Sequence, residues 1–133
     1  MNTQVASRVW DHVLQSREPL VQRFYSRLFT EFPQYRVLFD EIDEPRRRKL
    51  VGTFGIAACT VDDTEIVHPH LMRIGKQLAS LHFNENDLLN FQQVFVKSLA
   101  ECCGENWTAD CEKAWNELFE NHLIPNLNYG LIQ

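Results

Sequence analysis

The sequence predicts an all-α protein, on three observations. Apolar residues recur at three- and four-residue spacing along nearly the whole 133-residue chain. Proline, glycine and short polar runs interrupt that spacing where helix ends are expected. No stretch alternates apolar and polar residues as a half-buried strand would, and no internal repeat or low-complexity segment is present. About six to eight helices joined by short connections follow from this pattern.

The first helix is marked by Val5, Val9, Val13, Trp10 and Leu14. Pro19 is expected to open a second, with Leu20, Val21, Phe24, Tyr25, Leu28 and Phe29 on one stripe, and Pro33 to end it. A short turn from Tyr35 to Phe39 and an acidic loop from Asp40 to Glu44 lead to Pro45, a suitable first helical residue. The helix that follows carries Leu50, Phe54, Ile56, Ala57 and Ala58.

Asp62, Asp63 and Thr64 break the spacing. Pro69 then starts or kinks a helix through Leu71, Ile74, Leu78 and Leu81. Asn84 is the expected N-cap of the next helix, with Leu88, Leu89, Phe91, Val94, Phe95 and Leu99 inward and Gly104 as its stop. Thr108 caps a last helix with Ala114, Trp115, Leu118 and Phe119, and Pro125 is expected to end it. Residues 126–133 read as an irregular tail of one domain spanning 1–133.

A chain of this length buries one core, hiding roughly two thirds of its unfolded surface. Nine Phe, three Trp and three Tyr supply the bulk of that core. The net charge of −5 argues against a nucleic-acid partner, which selects a basic face. No apolar run reaches the length of a membrane span and no signal-peptide pattern is present, so the cytoplasm is the expected compartment. The four cysteines, Cys59, Cys102, Cys103 and Cys111, lack zinc-like spacing and read as reduced thiols. No nucleophile–base–orienter set and no glycine-rich phosphate loop is found, so no enzymatic turnover is expected.

Several strings are more specific than the periodicity. Phe24-Tyr25-Ser26-Arg27-Leu28-Phe29, then Pro33, then Val37-Leu38-Phe39-Asp40, resemble the second and third helices of bacterial haemoglobins. Gly104-x-x-Trp107-Thr108 and Ala114-Trp115 resemble the end of that family's seventh helix and its eighth. The spacing from Phe39 to Gly75 to Gly104 needs no gaps against single-domain bacterial and neuroglobin-like globins. The resemblance covers nearly the whole chain and implies a globin fold, a 3-over-3 helical sandwich.

The resemblance assigns roles position by position. Phe39 is similar to the phenylalanine that packs on the haem face, and Tyr25 to the distal tyrosine that donates to bound oxygen. Arg46 falls at the distal position usually held by His or Gln, and Leu50 at the apolar position beside the gas site. Leu78 stands where the proximal histidine is expected, and Phe119 where a tyrosine often supports it. A leucine has no lone pair for iron, which takes His, Cys, Met or Tyr. The implied cofactor-binding set is therefore Tyr25, Phe39, Arg46, Leu50, Leu78 and His82, with haem b as the cofactor and His82 as the substitute metal ligand.

Each role has a plainer alternative. His82, four residues after Leu78 and read as one turn further along the same helix face, is an axial ligand, a propionate contact or an ordinary helix-end histidine. Arg46, in the run Arg46-Arg47-Arg48-Lys49, points into the pocket toward a propionate or fatty-acid carboxylate, or belongs to a solvated face. Tyr25 is a distal donor, or a core tyrosine bonded to backbone. His68 and His70 around Pro69 are weak metal candidates.

Two functions follow. One is a haem-dependent carrier or sensor of a diatomic gas. The other is a haem-free bacterial sensory or interaction module that takes a small apolar or fatty-acid-like ligand, a protein partner or a second copy of itself. A dry interior filled by Phe54, Leu81 and Phe95 would oppose the first. The apolar tail residues Leu127, Tyr129, Leu131 and Ile132 either form an interface or dock on their own domain.

Overall fold

The computed structural model describes residues 3–15, 20–40 and 42–131. The expected roles of Pro19, Glu41 and Ile132 lie outside these residues. The helices run in the order α1 (Thr3–Gln15), α2 (Leu20–Glu31), α3 (Gln34–Asp40), α4 (Glu44–Thr60), α5 (Thr64–Ala79), α6 (Glu85–Cys103), α7 (Ala109–Leu118) and α8 (Ile124–Leu131). No strand occurs among the described residues, and no helix there is long and apolar enough to cross a membrane.

Local chemistry sets the helix starts. Asp43 caps α4 by accepting from the Arg46 amide at 3.0 Å, with Pro45 in the first turn. Asn84 and Asp87 form a reciprocal capping box on α6, through bonds of 2.8 and 3.2 Å. Thr108 caps α7 through the Cys111 amide. Gly104, at φ 55°, ends α6 as expected.

Helix α5 begins at Thr64, five residues before Pro69, and continues through it. Near its start the missing proline amide interrupts little of the ladder. The turn that ends α5 comes earlier than the apolar pattern implied. The Leu81 and His82 amides close on the carbonyls of Leu78 and Ala79, each at 2.9 Å, and His82 takes a left-handed φ of 64°.

The expected stop at Pro125 and the irregular tail are corrected by the structure as far as Leu131, the last described residue. Phe119–Leu123 forms a π-helical turn, and the Ile124 amide reaches back to the Phe119 carbonyl. The wider turn relieves the demand for a Pro125 amide, and the chain continues as α8. Leu127 is buried, while Tyr129 is exposed, so the tail docks on its own domain. Leu89, expected inward, faces solvent, as does Ile56.

Helices α1, α4 and α5 form one layer; α2, α6 and the α7–α8 run form the other. The layers meet chiefly where α1 crosses α6 and α7 and where α5 crosses α8. The last crossing is close because Gly75 and Gly130 face each other: a Cβ on Gly75 would collide with the Leu127 carbonyl, and one on Gly130 with the Met72 carbonyl. Phe54, Phe95, Trp115 and Phe119 pack in the centre, with Phe54 and Phe95 ring centroids 4.9 Å apart. A second aromatic group joins Tyr25, Tyr35, Phe39, Phe83 and Phe91 at the α2–α3–α6 side.

Candidate ligand pocket

A cavity of about 370 Å³ opens between α3–α4 and α5. Phe39, Ile42 and Leu50 supply one apolar wall, and Ile74, Leu78 and Leu81 supply the facing one. Arg46, Lys49, Gln77 and Ser80 are exposed and mark its mouth. The size and the apolar lining with a few polar groups are those of a small-molecule site.

Helical register explains the walls. Leu50 lies four residues after Arg46, and Leu78 four after Ile74, so each pair shares one helix face. Phe39 is fixed by its aromatic neighbours: Tyr25 lies 5.5 Å from it, Phe83 5.9 Å and Phe91 6.0 Å.

Of the six residues expected to hold a cofactor, Phe39, Arg46, Leu50 and Leu78 line the cavity. Tyr25 and His82 do not. Tyr25 is buried behind Phe39, and its hydroxyl donates to the Arg47 backbone carbonyl at 2.8 Å. Burial pushes its ionisation well above the usual phenol range, against a smaller opposing effect of the Arg47 charge. It is thus the core tyrosine bonded to backbone. His82 is exposed in the turn after α5, not on the helix face that carries Leu78.

Arg46 is exposed at the mouth, 4.0 Å from the Asp43 carboxylate. The cation that enters the fold is its neighbour. Arg47 donates from Nε to the Phe39 carbonyl at 3.1 Å and donates a second bond there from Nη2. Its guanidinium lies 5.7 Å from the Tyr25 ring centroid and 5.6 Å from that of Phe29. Arg48 instead pairs with Glu44 at 2.8 Å, on the outer surface.

Among the described residues, none that lines the cavity is a His, Cys, Met or Tyr. Phe119 is buried against Phe54 and Phe95 in the central stack and brings no hydroxyl to the proximal side. Phe54 and Phe95 stay in that stack, while Leu81 lines the cavity without filling it. His70, two turns before Leu78 on α5, has a buried, unpartnered Nε2. Burial, and then the Arg73 and Lys49 charges, lower the pKa of its imidazole. His68 is exposed, and no group of three or more metal-ligating residues exists among the described residues.

The four cysteines form no disulfide with one another; Cys102 and Cys103 are buried. Burial pushes the Cys103 thiol up to about 11, which disfavours the reactive thiolate.

A family model described as Globin matches residues 22–124. Among solved structures, the chain is similar to a crystal structure of a hexacoordinated heme protein from an anhydrobiotic tardigrade. That match has a TM-score of 0.81 and 17% sequence identity, covering 95% of this chain and 90% of the other. At that identity the likeness is one of fold. No curated protein sequence matches the chain.

Proposed function

The chain belongs to the globin family, and we propose that its pocket binds a flat apolar molecule bearing acid groups, haem or a close relative, without an iron ligand from the Leu78 position. The carrying observation is the pairing of two hydrocarbon walls, Phe39 with Leu50 and Ile74 with Leu78, with two cations at one mouth, Arg46 and Lys49. Apolar walls suit the porphyrin faces. Guanidinium and ammonium groups suit its propionates.

The residues present fit haem's ring and its acid groups; they do not fit its iron. Bound haem would supply an iron atom able to take a diatomic gas such as oxygen. Among the described residues, none lining the pocket is a His, Cys, Met or Tyr that would donate to that iron. On this reading Phe39 orients the ring, Leu50 and Leu78 exclude water, and Arg46 and Lys49 fix the acid groups. Tyr25 braces the Phe39 wall through Arg47, its hydroxyl being committed to backbone. For His82 to serve as an axial ligand, the turn after α5 would have to rearrange.

The buried polar side chains support binding over turnover. Thr53 and Ser98 donate to helix carbonyls, and Gln92 donates to Asn116. None is aimed into the pocket as a nucleophile or base.

A second reading rests on Leu78 itself. A globin with leucine there suits a haem-free sensory or interaction module whose pocket takes a fatty-acid-like ligand by the same cations. Absorption titration with haem separates the two. For the first reading, wild-type protein shifts and sharpens the Soret band, Arg46→Glu/Lys49→Glu loses the shift, and His82→Ala keeps it. A band unchanged from free haem overturns it. Displacement of a fluorescent fatty acid from the same pocket would then support the second.

A further inference from the structure

We infer that the pocket recognises a dicarboxylate porphyrin independently of its metal, so that the iron-free ring binds about as well as haem. This rests on the porphyrin reading above and deepens it.

A site that coordinates iron reads the metal through a bond the free-base ring cannot make. A site that reads only the ring and its acid groups has no such preference. The walls here are Phe39, Leu50, Ile74 and Leu78, hydrocarbon side chains that offer no lone pair to the centre of a ring lying between them. The charged groups of the lining, Arg46 and Lys49, stand at the mouth. There they meet carboxylates, which are the same in the metallated and metal-free molecules.

The polar neighbours do not alter this. Gln77 and Ser80 are also exposed at the mouth, and the Ser80 hydroxyl donates to the Gln77 carbonyl at 2.6 Å. Tyr25 is tied to the Arg47 carbonyl behind Phe39. His82 is outside the lining, in the exposed turn. His70 is half-buried, with its Nε2 enclosed, and stands four residues before Ile74, outside the residues that line the cavity.

The test is parallel titration of the full chain with haemin and with iron-free protoporphyrin, followed by quenching of tryptophan emission. The expected result is two dissociation constants within about threefold of each other, both weakened about tenfold or more by Arg46→Glu/Lys49→Glu. A preference for haemin of more than about tenfold would overturn the inference and leave the porphyrin reading standing. His82→Ala and His70→Phe would then identify the donor. Binding of neither ring would overturn both. Far-UV circular dichroism of each variant confirms that a lost signal is not lost folding.

Discussion

The Tyr25 hydroxyl donates a 2.8 Å hydrogen bond to the backbone carbonyl of Arg47, and the Arg47 side chain returns to the Phe39 carbonyl. This pair links α2, α3 and α4 behind one wall of the pocket. A tyrosine that resembles a distal ligand donor is here a structural tie, because its proton already has a backbone acceptor. Removing it should affect the fold more than the pocket. Tyr25→Phe is expected to cost about 0.5–1.5 kcal/mol in urea unfolding, since the hydrogen bond that the Arg47 carbonyl accepts from outside its own helix is lost. Porphyrin affinity should change less than about threefold.

Leu78→His should convert the pocket from one that reads a ring to one that also reads iron. Leu78 is buried and lines the cavity, so an imidazole there faces the ligand. The expected result is haemin binding about tenfold or more tighter than iron-free protoporphyrin, equivalent to about 1.4 kcal/mol or more. Equal binding of the two rings by this variant would place the ligand elsewhere.

Gly75→Ala tests the α5–α8 crossing. Its new methyl would meet the Leu127 carbonyl, and backbone cannot move aside as a flexible side chain can. A loss of about 1–3 kcal/mol is expected in denaturant unfolding. Gly52→Ala, where nothing lies within 4 Å, is the matched control and should be stable.

Alkaline pH should destabilise the protein through Tyr35. Burial, then its hydrogen bond to the Asp87 carboxylate, pushes this phenol up to about 12, against 10.0 for the free group. Between these values the unfolded chain has released a proton that the native state retains. Stability present below pH 10 is therefore lost as pH rises toward 12. Thermal unfolding across that range checks the slope, which Tyr35→Phe should reduce. Tyr25, raised in the same direction, leaves part of it.

Much of the helical order was legible in the sequence because its punctuation is local. Asn84, Gly104 and Thr108 act at the positions where their side chains or backbone freedom predict. Pro125 misled because the usual consequence of a proline is a helix stop, and the preceding π turn that accommodates it has no marker in the periodicity. The tail then read as irregular although Leu127 and Gly130 meet α5, a contact between residues distant in sequence. At the pocket, Phe39, Leu50 and Leu78 were singled out by resemblance, and the structure brings them to one cavity. Arg47 was missed in favour of Arg46, since one residue turns a helical side chain by about 100° and a run of cations hides the choice. Its signal was present: Arg47 precedes Leu50 by three residues, Val51 by four and Phe54 by seven, on the buried stripe. His82 was placed on α5 because the spacing continues past the helix end.

Methyl-resolved NMR of the full chain during addition of iron-free protoporphyrin tests the central claim most directly. A porphyrin between Phe39 and Leu78 predicts large ring-current shifts for the methyl groups of Leu50, Ile74 and Leu78, with those of Val94 and Leu99 in the α6 core nearly unmoved. Absence of shifts at Leu50 and Leu78, or shifts confined to other residues, would contradict it.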